Sequence, residues 1–133
     1  MHVKRTACVG EKNSLVIFGA GYGFEALAQV GWLSQIDLFY WGDIDTHGFA
    51  ILDQLRSKFP HVKSFLMDEQ TLMDHQSFWG QEYKPEFRVL QRLTSNEQVL
   101  YQSLQANRYQ TNLRLEQERI QFNYLVAALS DIV

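Results

Sequence analysis

Three short apolar runs, separated by segments of helical spacing and ending on glycine or aspartate, restrict this chain more than any other feature. The first, Leu15-Val16-Ile17-Phe18, stops at Gly19-Ala20-Gly21-Tyr22-Gly23 and reads as a buried strand entering a glycine-rich turn. A helix is expected next, because Phe24, Leu27, Ala28, Val30 and Trp32 roughly keep helical spacing. The second run, Ile36 to Trp41, has strand composition and ends at Gly42-Asp43-Ile44-Asp45. Thr46 is placed to cap a helix from about His47 to Phe59, which Pro60 ends. Val62 to Met67 is the third strand, finishing on Asp68. With connections this short, the alternation predicts a parallel α/β sheet whose ligands gather at the carboxyl ends of the strands. Asp43, Asp45 and Asp68 all fall at such ends.

The second half has a different texture. Residues 70–90 mix aromatics with polar side chains and predict a short helix followed by an irregular wrap. Two helices are expected beyond it, from about Asn96 to Ala106 after a Ser95 cap, and from about Asn112 to Leu129. The second would set Leu113, Ile120, Tyr124, Ala127 and Ala128 on an apolar face. At 133 residues the chain suits one core and no second one. Cys8, the single cysteine, excludes an internal disulfide and a multi-thiolate metal site, in keeping with a reducing compartment. No apolar run reaches the roughly 18 residues of a membrane span, and the first residues lack the apolar centre of a signal peptide, so a cytoplasmic location is expected. Net charge is −3, without the basic excess of a protein that simply coats DNA. Ten of the fifteen acidic residues lie before residue 84.

The segment Tyr40-Trp41-Gly42-Asp43-Ile44-Asp45-Thr46-His47-Gly48 concentrates the chemistry. Two carboxylates one residue apart, just past a buried strand, can converge on one hard cation, and Mg²⁺ takes oxygen ligands while keeping room for a substrate phosphate. Such a cation polarises a phosphoryl oxygen and lowers the pKa of a bound water. The alternative is that Asp43 and Asp45 serve only the turn and the helix cap. Asp68 supplies a further carboxylate, and His47 could touch a phosphate or merely begin a helix. Glycines 19, 21 and 23 suggest a nucleotide- or dinucleotide-binding turn with Asp43 as the ribose acid, but position 24 is Phe24 where that fingerprint needs glycine. Lys84, Arg88 and Arg92, four apart, could line one helical face toward a nucleic-acid backbone. Arg114 and Glu118 have the spacing of a helical ion pair.

The stretches 16–27, 40–52, 64–68 and 114–119 together resemble the C-terminal region of the JetD family, the nuclease subunits of Wadjet plasmid-defence systems. The likeness spans nearly all of residues 15–125. The Gly-Asp-Ile-Asp-Thr-His-Gly segment also resembles the Asp-x-Asp-x-x-Gly element of the Toprim domains in topoisomerase VI A subunits. The resemblance implies a Toprim-like (Rossmann-like) parallel sheet flanked by helices, in residues 14–133, with a helical extension from about residue 95. It implies Mg²⁺- or Mn²⁺-dependent cleavage of double-stranded, circular DNA and partnership with an SMC-type JetABC complex; a homodimer is compatible with it. By residue, Asp43 and Asp45 match the metal-binding pair and Asp68 a further acidic position. The family's glutamate on a preceding strand has no counterpart here, since Glu11 is too close to the Leu15 strand and Glu25 follows the glycine loop. The first strand-helix unit is therefore expected to be missing, residues 1–13 to be irregular, and the Leu15 strand to lie at an open sheet edge. Whether such a truncated chain cuts DNA alone is left open, as is a role as a non-catalytic interaction module.

Overall fold

A computed structural model describes residues 5–8, 14–18 and 31–132, with the backbone alone described for 5–8. Two strands lead the chain, β1 (Arg5–Cys8) and β2 (Ser14–Phe18), followed after a 3-10 turn at 31–35 by β3 (Asp37–Trp41). Helix α1 (Thr46–Lys58) connects β3 to the short β4 (Lys63–Ser64). The sheet order is β1-β2-β3-β4, with β2, β3 and β4 parallel and β1 antiparallel to β2. This is the expected α/β, Rossmann-like arrangement. Strand β1 falls in the segment read as irregular and pairs from Arg5 against Phe18 to Cys8 against Leu15, so the β2 edge is not open. The glycine-rich turn and most of the helix expected after it, 24–33, lie outside the described residues, as do Glu11 and Glu25.

Leu15, Val16, Ile17, Leu38, Phe39, Tyr40 and Trp41 are buried. Near-continuous apolar strands of this kind are what a parallel sheet covered on both faces requires. Helix α1 contributes Phe49, Leu52 and Leu55, none with exposed surface. Its cap is Asp45 rather than Thr46: the Asp45 side chain accepts from the Gly48 N–H at 2.6 Å. Of the strand expected over 62–67, only Lys63 and Ser64 join the ladder. The Phe65 N–H reaches the Tyr40 carbonyl, but Leu66 then turns into the left-handed region at φ 54°, which ends an extended strand.

Beyond β4 come α2 (Glu69–Asp74), β5 (Gly80–Gln81), α3 (Ser95–Gln105), β6 (Leu113–Arg114) and α4 (Phe122–Ile132). Helix α3 starts one residue earlier than expected, with a Thr94–Glu97 capping box in place of a Ser95 cap. The expected helix over 112–129 is corrected. Leu113 and Leu115 are buried and alternate with Arg114 and Glu116; β5 pairs antiparallel with β6, and Ile44 and Leu115 exchange two backbone hydrogen bonds. Arg114 and Glu118 are consequently not a helical pair. No helix among the described residues is long and apolar enough to cross a membrane.

Candidate functional site

The turn after β3 carries Asp43 and Asp45, and three separate pieces of chain hold it. Asp45 is 1% exposed, and both of its oxygens are engaged: Oδ1 by the Gly48 N–H, Oδ2 by Arg114 Nε at 2.9 Å. Asp43 is half-buried and accepts the Gln117 N–H at 2.8 Å through Oδ1. Glu82, immediately after β5, is 3% exposed; its Oε2 accepts from both the N–H and the hydroxyl of Thr46. Its Oε1 is buried with no hydrogen-bond partner. The β5–β6 pair thus delivers one carboxylate and one guanidinium to the start of α1, where Asp45 is the cap.

Charge is unbalanced at this point. Burial pushes the Asp43 carboxyl up to about 6, against the bond from Gln117, and the neighbouring Asp45 charge adds to the rise. Burial likewise raises Asp45; the Arg114 bond opposes this and the Glu82 charge reinforces it. Glu116 is a further acidic influence on Asp43, and Arg114 is the cation that opposes the charges of Asp43, Asp45 and Glu116. Carboxylates kept charged at neutral pH in this setting are held at a cost that a cation would relieve.

The cost has a measurable sign. Asp43 titrates near 6 when folded and near 3.8 when unfolded, so the folded state binds more protons between those values and loses stability as pH rises through them. Asp43→Asn keeps an oxygen for the Gln117 N–H and removes the charge. In EDTA at pH 7.5 it is expected to raise stability by on the order of 1–2 kcal/mol, a gain that fades below about pH 4. Thermal melts across pH check this; a loss of stability at pH 7.5 would show that Asp43 is wanted as a charge even without a cation.

The other residues singled out in the sequence are dispersed. Asp68 is exposed, caps α2 through the Thr71 N–H, and lines a cavity of about 580 Å³ with Arg56, Ser64 and Glu97. The structure does not gather it with Asp43 and Asp45: among the described residues no group of three His, Cys, Asp or Glu side chains is placed to hold a metal ion. His47 is half-buried with Nε2 2.6 Å from the Lys84 carbonyl oxygen. Lys84, Arg88 and Arg92 share no helical face, because 82–90 is irregular and Lys84 sits at φ 53°. Arg92 instead pairs with Asp53 and Arg88 with Glu86. Gly19, Gly21 and Gly23 lie outside the described residues. In the sequence Arg114 stands out as half of a helical pair and as the start of the 114–119 stretch of the family resemblance, with nothing linking it to Asp45, and Glu82 has no sequence signal, being 37 residues from Asp45.

An α/β sheet with a paired-aspartate turn at the carboxyl end of a central parallel strand, backed by a β-pair carrying Glu82 and Arg114, defines a class: Rossmann-like proteins with a buried acidic centre. The model of one family, Wadjet protein JetD, C-terminal, matches residues 5–129. The chain belongs to that family and is a component of a Wadjet system. No curated protein matches it.

Proposed function

We propose that this chain is a Toprim-like, divalent-cation-dependent nuclease module acting on the phosphodiester backbone of DNA in plasmid defence, with Asp43 and Asp45 at its centre. The observation that carries the reading is the acidic excess at the start of α1. Asp45 is buried and Asp43 half-buried, both against their ordinary protonation preference, and Glu82 leaves an oxygen without a partner close to Asp45. An all-oxygen, anionic donor set of this kind suits Mg²⁺ or Mn²⁺.

Asp43 and Asp45 would hold the cation, with water and phosphate oxygens completing its surroundings. When bound, it would supply charge stabilisation at the phosphoryl oxygens and acidify a water. Asp43 Oδ2 accepts no hydrogen bond among the described residues and is ready to ligate. Asp45 Oδ2 is held by Arg114, so the guanidinium keeps the carboxylate oriented while no cation is bound. Gln117 and Gly48 fix the remaining oxygens through backbone N–H groups, a preorganisation that does not depend on side-chain rotamers.

Calorimetry with Mn²⁺ and Mg²⁺ is expected to show one class of site in the wild type and at least about tenfold weaker affinity in Asp43→Ala/Asp45→Ala, the scale on which losing ligand-shell groups acts. Equal affinities would refute the assignment. Incubation with supercoiled plasmid and Mn²⁺ tests catalysis, and cutting that survives loss of both aspartates would place the active centre elsewhere. An SMC-type JetABC complex as partner, and closed circular DNA as substrate, belong to the same reading and rest on the family alone.

A further inference from the structure

Residues 82–90 have no regular secondary structure, yet they are pinned at alternate positions. Glu82 bonds Thr46 through its side chain and Asn112 through its N–H. The Lys84 carbonyl meets His47, and the Glu86 N–H donates to Thr46 Oγ1 while its carbonyl accepts from Gln105. The Arg88 carbonyl accepts from the Tyr101 hydroxyl at 2.6 Å, and Leu90 is buried. With the even positions tied inward, Tyr83, Phe87 and Val89 are turned out, at 81%, 70% and 81% exposure. The rings cannot sink by local adjustment without breaking these bonds. Two of the pins are Thr46 and His47, the residues directly following Asp45.

Outward aromatics held on a fixed backbone offer π-faces to a ligand at little entropic cost. Cations accompany them: Lys84 Nζ lies 5.4 Å from the centre of the Tyr83 ring, and the Arg88 side chain, paired with Glu86 at 3.0 Å, is still 58% exposed. Aromatic faces interleaved with cations are what unpaired nucleic-acid strands bind, through base stacking and phosphate contact. A purely apolar protein-docking patch would not need Lys84 and Arg88 between its anchors. The strip also continues directly into the acidic centre through Glu82.

We infer that Tyr83, Lys84, Phe87 and Arg88 form a contact surface for unpaired DNA, leading a strand toward Asp43 and Asp45. The inference rests on the nuclease reading for its direction, but the binding itself needs no metal. The pinned backbone makes the surface preformed rather than induced.

Fluorescence anisotropy in EDTA with a labelled single-stranded oligonucleotide and a matched duplex separates this claim from metal-dependent cutting. The wild-type chain is expected to prefer the single strand. Tyr83→Ala/Phe87→Ala is expected to weaken single-strand binding roughly tenfold or more, the scale of losing two stacked bases, and duplex binding much less. Lys84→Ala/Arg88→Ala should weaken both and flatten the salt dependence. Because all four side chains project from the surface, unchanged melting temperatures confirm that the variants fold. Equal losses on single strand and duplex, or wild-type binding in the aromatic variant, would overturn the inference. So would an absence of nucleic-acid binding by the wild type. Unchanged DNA binding with loss of a protein partner would assign the strip to that partner. Loss of metal affinity in the aspartate variants, by contrast, bears only on the nuclease reading.

Discussion

Glu97→Ala is expected to destabilise the protein by about 3–5 kcal/mol, as removal of one member of a buried ion pair does. Glu97 on α3 and Arg56 on α1 meet at 2.5 Å, each side chain 7% exposed. Arg56 also donates to the carbonyls of Val62 and Arg92, while Glu97 accepts from Ser64 Oγ and the Thr94 N–H. One carboxylate therefore closes the capping box of α3, ties down β4 and neutralises a guanidinium. Burial alone would raise its pKa, but the bonds from Arg56, Ser64 and Thr94 outweigh burial and hold it below the ordinary glutamate value. The sign follows: this stabilisation is complete above the unfolded-state pKa and is lost as pH falls through the lower folded-state value. Urea denaturation measures the cost. The paired replacement Arg56→Met/Glu97→Leu should lose less than Glu97→Ala, since no charge is left stranded. A Glu97→Ala protein with wild-type stability would mean that water reaches Arg56.

Gly48→Ala is the second large effect, and it acts at the functional site. A Cβ at residue 48 would run into the backbone carbonyl oxygen of Asp43, and would lie 3.2 Å from Asp45 Oδ1. The obstacle is main chain, so relief demands that the Asp43–Asp45 turn shift as a unit. About 3 kcal/mol or more of lost stability is expected, together, on the proposed reading, with loss of divalent-cation binding in the fraction that folds. Gly31, whose added Cβ would meet nothing within 4 Å, is the control; Gly31→Ala should stay within about 0.5 kcal/mol of wild type. Melting curves and calorimetry on both variants check the contrast. If Gly48→Ala behaved like Gly31→Ala, the turn would be more yielding than its three attachments suggest.

The parts of this fold legible in the sequence are those written by local rules. Leu15 to Phe18 and Leu38 to Trp41 are apolar runs without alternation, and they are the buried parallel strands. Pro60 marks the end of α1 within two residues. What escaped was non-local. Leu113-Arg114-Leu115-Glu116 has a strand's period of two, which a helical reading beginning at Asn112 absorbed, and its partner Ile44 is 71 positions away. The acidic pair was visible from Asp43 and Asp45 alone, whereas Glu82 and Arg114 reach it only through the folding of β5 against β6. Leu66 reads as one more strand residue and takes instead a left-handed turn that shortens β4. Positions 84, 88 and 92 have helical spacing without a helix, because Lys84 and its neighbours are tied down one bond at a time.

Arg114 gives the centre a thermodynamic property as well as a shape. Its guanidinium holds Asp45 Oδ2, so on the proposed reading a divalent cation taken up at Asp45 would exchange one positive charge for another rather than fill a void. Arg114 belongs to β6, which pairs with β5, and the next residue, Leu115, bonds to Ile44 in the aspartate turn. Were a cation bound there, any ligand that shifts Arg114 would alter cation affinity, and the cation would alter the ligand's affinity by the same factor. The acidic turn and the β-pair behind it would then be two ends of one linked equilibrium.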